Sequence, residues 1–176
     1  MTFRLTLFSV LATFGLAASC AAASAPALDD LLAGVETCTP TPRHETFRSA
    51  LADIVPVRTG HYEAPGDAGI LGKIARRGGM PEAPEALDVL VEDGAIYFTL
   101  EMRGTFHGLP VRSVHVYHGI DRGGYGWWVD FAVPREEVIR VFGRTVTKAV
   151  RSFGPDDVAL LEIPRGKARI SCDLST

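Results

Sequence analysis

The sequence contains no asparagine and no glutamine among its 176 residues. Recognition of sugars or bases through side-chain amides is therefore excluded, and so is a nucleophile arranged as Cys-His-Asn. Cysteine is also scarce, with three residues, and neither Cys-x-x-C nor His-Glu-x-x-His occurs. The net charge of −3 gives no case at the level of the whole chain for nucleic acid or an anionic membrane as a partner.

The first residues form an apolar stretch that is typical of a secretory signal peptide. Arg4 supplies the positive charge, and the apolar run over 5–16 is too short to span a bilayer. Ala-x-Ala cleavage is predicted after Ala23 or after Ala25, and we prefer the first because Pro26 directly follows the second. The protein is therefore expected to be exported, to the periplasm or into the medium.

Cys20 gives the leader a second interpretation, because lipoprotein processing acylates a cysteine at the cleavage site. Lipoprotein signals usually carry leucine three positions earlier, where this chain has Ala17, so we favour ordinary cleavage. Ordinary cleavage after Ala23 predicts a signal peptide over 1–23 and a single domain over 24–176. No second apolar run of membrane length follows, and no membrane insertion is expected after the leader is removed.

Processing leaves two cysteines, Cys38 and Cys172, one near each end of the mature domain. In an exported chain they are most simply joined in one disulfide, and a pair of buried free thiols is the alternative. A catalytic thiol is less favoured because neither cysteine has a neighbouring histidine. On a chain-entropy argument, closing so long a loop stabilises the fold by about 4 kcal/mol.

Helical spacing of apolar residues predicts three helices. They are a short helix that ends near Cys38, a helix over 44–54, and a helix that begins after Pro134. The last one is predicted only as far as Phe142, because the alternation that follows also fits a strand. Residues 60–86 are rich in glycine and proline and predict a long loop with one or two helical turns.

From Leu87 to Pro134, apolar and polar residues alternate in a pattern that predicts four antiparallel strands joined by tight links. Asp93 and Gly94 indicate a hairpin turn, and a last hairpin is predicted around 164–167. The fold class is therefore α+β, with an antiparallel meander of about five to six strands, two or three helices and one disulfide. The predicted core side of two central strands consists of Val114, Val116, Trp127, Val129 and Phe131.

The other side of these strands carries side chains that are able to move protons. If residues 107–109 form a three-residue loop, Glu101 lies opposite His115, and Asp130 reaches the same face. A carboxylate beside His115 would hold its ring in one orientation. Glu101, His115 and Asp130 are thus a candidate catalytic acid–base cluster, and cross-strand ion pairs without catalysis are the alternative.

The histidines give little support for a metal site. His115 and His118 are three residues apart, which separates their side chains on a strand. His107 lies in the preceding turn and is poorly placed to join either of them. No metal and no cofactor are predicted.

Two segments are candidates for contact with a partner. The glycine-rich residues 119–126 are predicted to form a flexible link that exposes Arg122 and Tyr125, and arginine and tyrosine are favoured as interface anchors. A second basic segment exposes Arg76 and Arg77.

These features predict a periplasmic protein that binds another protein without catalysing a reaction. An inhibitor, an immunity protein or an envelope accessory factor would fit that description. The alternative is a small periplasmic hydrolase or lyase that uses Glu101, His115 and Asp130.

Overall fold

The computed structural model describes residues 25–54, 61–63, 68–120, 124–154 and 159–175. The α-helices are α1 (Asp29–Leu32), α2 (Pro42–Ile54), α3 (Ala68–Gly78) and α4 (Arg135–Ser152), and a 3-10 helix spans Val35–Thr37. The strands are β1 (His61–Glu63), β2 (Ala86–Glu92), β3 (Ala95–Glu101), β4 (Thr105–Phe106), β5 (Leu109–Gly119), β6 (Tyr125–Phe131), β7 (Leu160–Glu162) and β8 (Arg169–Asp173). The predicted leader, with Cys20, lies outside the described residues.

Seven strands form an antiparallel sheet in the order β1-β2-β3-β5-β6-β8-β7, and the short β4 pairs with β5 beside this path. The α+β class and the antiparallel meander are confirmed, with more strands and helices than the sequence predicted. The hairpin predicted around 164–167 joins β7 to β8, and the Lys167 backbone N–H donates to the Pro164 carbonyl at 3.4 Å.

Two tight turns shape the meander. Asp93 and Gly94 have φ angles of 50° and 72° and connect β2 to β3, as predicted. His107 and Gly108 have φ angles of 48° and 77° and connect β4 to β5. Two successive left-handed residues match the twist of the flanking strands, which is why Asp-Gly suits such a hairpin. The second turn therefore has two residues, and the predicted three-residue loop is wrong.

The pairing of β3 with β5 differs from the predicted pairing by two residues. Glu101 was predicted opposite His115, whereas Glu101 lies opposite Ser113 and Thr99 lies opposite His115. One residue of the difference comes from the turn, which has two residues instead of three. The other comes from residues 102–104, where the β3–β4 side of the hairpin has one residue more than β5 opposite it. Because the displacement is an even number of residues, each side chain stays on its predicted face.

The helices pack on one face of the sheet and bury a continuous apolar core. The predicted core residues of β5 and β6 are confirmed, with at most 5% of each exposed: Val114, Val116, Trp127, Val129 and Phe131. Phe47 and Leu51 of α2 join them with no exposed surface. Burying a side chain of this size contributes about 1.5–3 kcal/mol, so the core rather than helix propensity holds these elements.

Helix α4 continues through Gly143 to Ser152 instead of ending near Phe142, and the strand alternative is wrong. Val146 and Ala149 extend the buried stripe that Phe142 belongs to. Contact with the core therefore carries the helix across its glycine, although glycine costs about 1 kcal/mol relative to alanine in a helix interior.

The segment 60–86 has more structure than predicted, because it contains β1 and the eleven-residue helix α3. One side of α3 packs into the core through Leu71, Ile74 and Ala75. The apolar spacing of this helix was too short, and too close to glycines, to be separated from loop in the sequence.

Cys38 and Cys172 form the predicted disulfide, with Cα atoms 5.2 Å apart across 134 residues of sequence. Cys38 follows the 3-10 helix and Cys172 lies on β8. Both residues are buried. The bond ties the N-terminal segment to the sheet from within the core.

Candidate functional site

The face of the sheet opposite the helices is polar, and no helix covers it in the part of the chain that the structure describes. Strand alternation brings two neighbouring rows of side chains onto this face from β3, β5, β6 and β8. We call the following six residues the His115 network: Thr99, Ser113, His115, Trp128, Asp130 and Arg169.

Both ring nitrogens of His115 have partners. Nδ1 lies 3.0 Å from the Thr99 hydroxyl. Nε2 lies 2.9 Å from the Ser113 hydroxyl and 3.0 Å from Asp130 Oδ2. The ring also stacks on Trp128 with centroids 4.9 Å apart. These contacts fix the imidazole from its edges and from one side.

Asp130 is held by a second, stronger partner. Arg169 donates from Nε to Oδ1 and from a terminal nitrogen to Oδ2, each at 2.6 Å. Burial alone would raise the pKa of the Asp130 carboxyl, but the hydrogen bonds from Arg169 and His115 outweigh burial and hold that pKa well below its usual range. Asp130 is therefore a carboxylate that only accepts hydrogen bonds, which places the proton of His115 on Nε2.

The network has the composition of a serine–histidine–aspartate relay without its connectivity. In such a relay the serine contacts one ring nitrogen and the carboxylate orients the other. Here Ser113 and Asp130 both contact Nε2 of His115, and the opposite nitrogen faces Thr99. Ser113 is also buried. The contacts hold His115 in place and give Ser113 no activated, accessible oxygen.

Glu101 stands apart from this network. Its side chain is exposed and makes no hydrogen bond or ion pair with the described residues. It shares the face of the sheet with His115, as predicted, but the two-residue difference in pairing moves it beside Ser113. The structure thus brings His115 and Asp130 together and leaves Glu101 outside. A catalytic role for the three residues stays a prediction.

A row of aromatic side chains borders the network. Tyr97 and Tyr117 stack with ring centroids 5.8 Å apart, and the Tyr117 hydroxyl donates to Asp173 on β8. Burial, together with that hydrogen bond, raises the pKa of Tyr117 to about 12. The Tyr117 ring passes over Gly126, where a Cβ atom would also come within 2.7 Å of the Cys172 carbonyl oxygen. Glycine at this position is therefore a requirement of close packing.

The predicted partner-binding residues have different outcomes. Arg122 lies outside the described residues. Tyr125 belongs to β6 and is not in an exposed link: its ring stacks on Trp127 at 5.8 Å, and Arg48 lies 4.8 Å from its centroid. Arg76 and Arg77 are exposed, as predicted, but in the last turn of α3.

A partly buried polar group formed by α2, β5 and β6 was not found from the sequence. We call it the His44 cluster: His44, Glu45, Arg48, His118 and Tyr125. Arg48 donates to Glu45 at 2.7 Å and lies 3.0 Å from His118 Nδ1. Since a guanidinium has only donors, that nitrogen must accept, and His118 is neutral. His118 therefore faces the helices while His115 faces away from them, as the strand spacing predicted.

His44 has no exposed surface, and neither of its ring nitrogens has a hydrogen-bond partner in the described chain. Its ring lies 4.4 Å from Trp127. Burial lowers the pKa of His44 to about 4, with Arg48 and His118 adding to the effect and Glu45 opposing it. Burial and Arg48 likewise lower the pKa of His118 to about 4. Both histidines are thus held neutral.

The outer side of α4 carries a second group that the sequence could have revealed. Its exposed basic residues recur three or four positions apart, which aligns them on one side of a helix: Arg140, Arg144, Lys148 and Arg151. Arg140 pairs with Glu137. We call the other three, Arg144, Lys148 and Arg151, the basic face of α4; none has a hydrogen bond or ion pair within the described residues. This spacing predicts a basic face only if the helix continues beyond Phe142, where it was predicted to end.

Within the described residues, no group of three or more His, Cys, Asp and Glu side chains is arranged to hold a metal ion. None of the described helices is long and apolar enough to cross a membrane. Comparisons with protein-family models, curated proteins and solved structures find no match to this chain.

Proposed function

We propose that this chain is an exported protein that acts by binding another protein and catalyses no reaction. The observation that carries the proposal is the limited exposure of the titratable groups in the His115 network. A general acid or base must offer an atom to its substrate. Only 13% of the His115 side chain is exposed, the hydroxyl beside its Nε2 is that of buried Ser113, and Arg169 occupies both oxygens of Asp130. The network therefore gives a substrate little access to these atoms.

The disulfide supports the exported part of the proposal. A buried bond between Cys38 and Cys172 is suited to an oxidising compartment, such as the periplasm, where disulfides form and persist. The leader predicted from the sequence agrees with that location. An inhibitor, an immunity protein or an envelope accessory factor remains the class of binding protein that we propose.

The first arm of the test measures binding. The partner is identified by cross-linking in the source cells, purified, and titrated into the oxidised protein by calorimetry. We expect saturable one-to-one binding with a Kd of about 1 μM or tighter, which corresponds to about −8 kcal/mol. The H115A variant should retain this affinity, because the network is proposed to hold the sheet face and not to contact the partner.

The second arm tests the alternative of a small hydrolase or lyase. The purified protein is assayed with ester, amide and glycoside substrates and with lyase substrates. Turnover that disappears in H115Q and D130N, while circular dichroism shows both variants folded and K73A retains the activity, would establish the alternative and overturn the proposal. Lys73 is an exposed residue of α3 and serves as the control.

A further inference from the structure

The basic face of α4 is a ridge between two surface depressions. A depression of about 560 Å³ is lined by Ile139, Gly143, Arg144, Thr147, Lys148 and Arg151. A second one, of about 550 Å³, shares Arg144 and Lys148 and extends to Thr37 and Phe153. Two cations therefore stand between two hollows, and hydroxyl groups lie in both.

Exposed apolar surface accompanies these cations. Ile139 is 39% exposed and Val150 is 43% exposed, and both lie on the outer side of α4. Isolated exposed aliphatic residues are ordinary on a protein surface. Beside unpaired arginines and surface hollows, however, they give the combination of apolar contact and guanidinium groups that is enriched at protein interfaces.

Gly143 contributes to the shape of the first hollow. Glycine is less favourable than alanine inside a helix. A Cβ atom at this position would lie 3.2 Å from Ile139 Cγ2 and would occupy the space that the hollow now has. The depression thus depends on a residue that helix stability alone would not select.

We propose that the basic face of α4 docks an acidic segment of the partner protein, an inference that rests on the proposed function. Charge complementarity defines the occupant. Arg144, Lys148 and Arg151 have no acidic partner within the described chain, although the net charge of the whole chain is −3. Carboxylates of a partner would pair with these cations, and the threonine hydroxyls beside them would donate further hydrogen bonds.

A protein segment fits this surface better than a lipid bilayer does. A helix that lies on a membrane inserts an apolar face. The apolar face of α4 is already buried in the core through Val138, Phe142 and Val146. What the helix offers outward is a ridge with a hollow on each side, which matches side chains that project from an extended chain.

The test uses the purified, oxidised protein and a fluorescein-labelled peptide in which glutamate alternates with leucine and alanine. Binding is followed by fluorescence anisotropy. The variant R144E/K148E reverses two charges of the ridge. The control R165E/K167E reverses one arginine and one lysine that are exposed in the turn between β7 and β8, so its net charge matches.

We expect R144E/K148E to bind the peptide about ten-fold more weakly than the parent, and R165E/K167E to change the affinity by less than about two-fold. Raising the salt concentration from about 0.05 M to about 0.3 M should weaken parent binding. The G143A variant should stay folded and bind less well, because its methyl group enters the hollow.

Absence of peptide binding, or equal losses in both charge variants, would overturn the inference. Binding to phosphatidylglycerol vesicles that needs Arg144 and Lys148, without peptide binding, would replace the protein segment with a lipid surface. The docking inference and the proposed function can fail independently. If the partner identified in cells binds R144E/K148E as tightly as the parent, that function stands and the docking site lies elsewhere.

Discussion

Replacement of His44 by phenylalanine should make the protein less sensitive to acid. The imidazole has no exposed surface and no hydrogen-bond partner for either nitrogen among the described residues. Phenylalanine has a ring of comparable shape and would keep the contact with Trp127. It also removes two buried nitrogens that lost their water on folding, so the free energy of unfolding at neutral pH should be unchanged or higher.

The expected loss of stability in acid follows from the pKa of His44, which burial lowers from 6.5 to about 4. Between these values the unfolded chain binds more protons than the folded protein, so the free energy of unfolding falls as the pH falls from neutral towards 4. At about 1.4 kcal/mol for each pKa unit, protonation of His44 accounts for a loss of roughly 3 kcal/mol. His118 adds a smaller share because it is partly exposed. The carboxyls of Asp130 and Asp173 have lowered pKa values and lose their contribution only at more acid pH.

Urea unfolding followed by tryptophan fluorescence, at about pH 7 and about pH 4.5, measures this loss. The parent should lose stability between the two conditions, and H44F should lose less by up to roughly 3 kcal/mol. His107 is exposed in a turn with a positive φ angle, where asparagine is tolerated, so H107N is the matched control and should behave as the parent does. An H44F protein with the same loss as the parent would refute the assignment of acid sensitivity to this ring.

Three further changes test the packing. V116A should lower the free energy of unfolding by about 1–4 kcal/mol in urea titrations, because Val116 has no exposed surface. A loss of only about a few tenths of a kcal/mol would show that Val116 is not part of the core. Reduction of the Cys38–Cys172 bond should destabilise the fold by about 4 kcal/mol and lower the thermal midpoint. An unchanged midpoint would show that the bond does not stabilise the fold. G126A should lower the free energy of unfolding by about 1–3 kcal/mol, because the new methyl group meets the Tyr117 ring. Calorimetry measures the thermal midpoint, and a midpoint within about one degree of the parent's would contradict the close approach.

The alternation of apolar and polar residues was sufficient to predict which face of the sheet each side chain lies on, but not how the strands pair. Alternation is a local property, and it correctly separated buried Val116 from His115 on the polar face. Register depends on turn length and on the extra strand β4, and a slip of two residues leaves every face unchanged. The candidate cluster depended on register. The predicted pairing of β5 with β6 correctly brought His115 to Asp130, but the predicted pairing of β3 with β5 gave Glu101 the position that Thr99 occupies.

The helices show the same division between local and tertiary information. Gly143 is a local argument for ending α4, but the burial of Val146 and Ala149 outweighs it. The ring of Tyr125 was predicted to be exposed because its neighbours are glycines, whereas Arg48, far away in sequence, covers it. The contact between Arg48 and Tyr125 joins residues too far apart in the sequence for a hydrophobic period to reveal it.

The disulfide has a mechanical consequence. If the domain is pulled by its two ends, tension enters through the residues before Cys38 and leaves through those after Cys172. The covalent bond carries that force directly, so the intervening chain, with β1 to β7 and helices α2 to α4, is outside the load path. Stretching between the termini would extend only the two short end segments while the bond is intact. Cutting the chain once at an exposed link would likewise leave both pieces covalently joined.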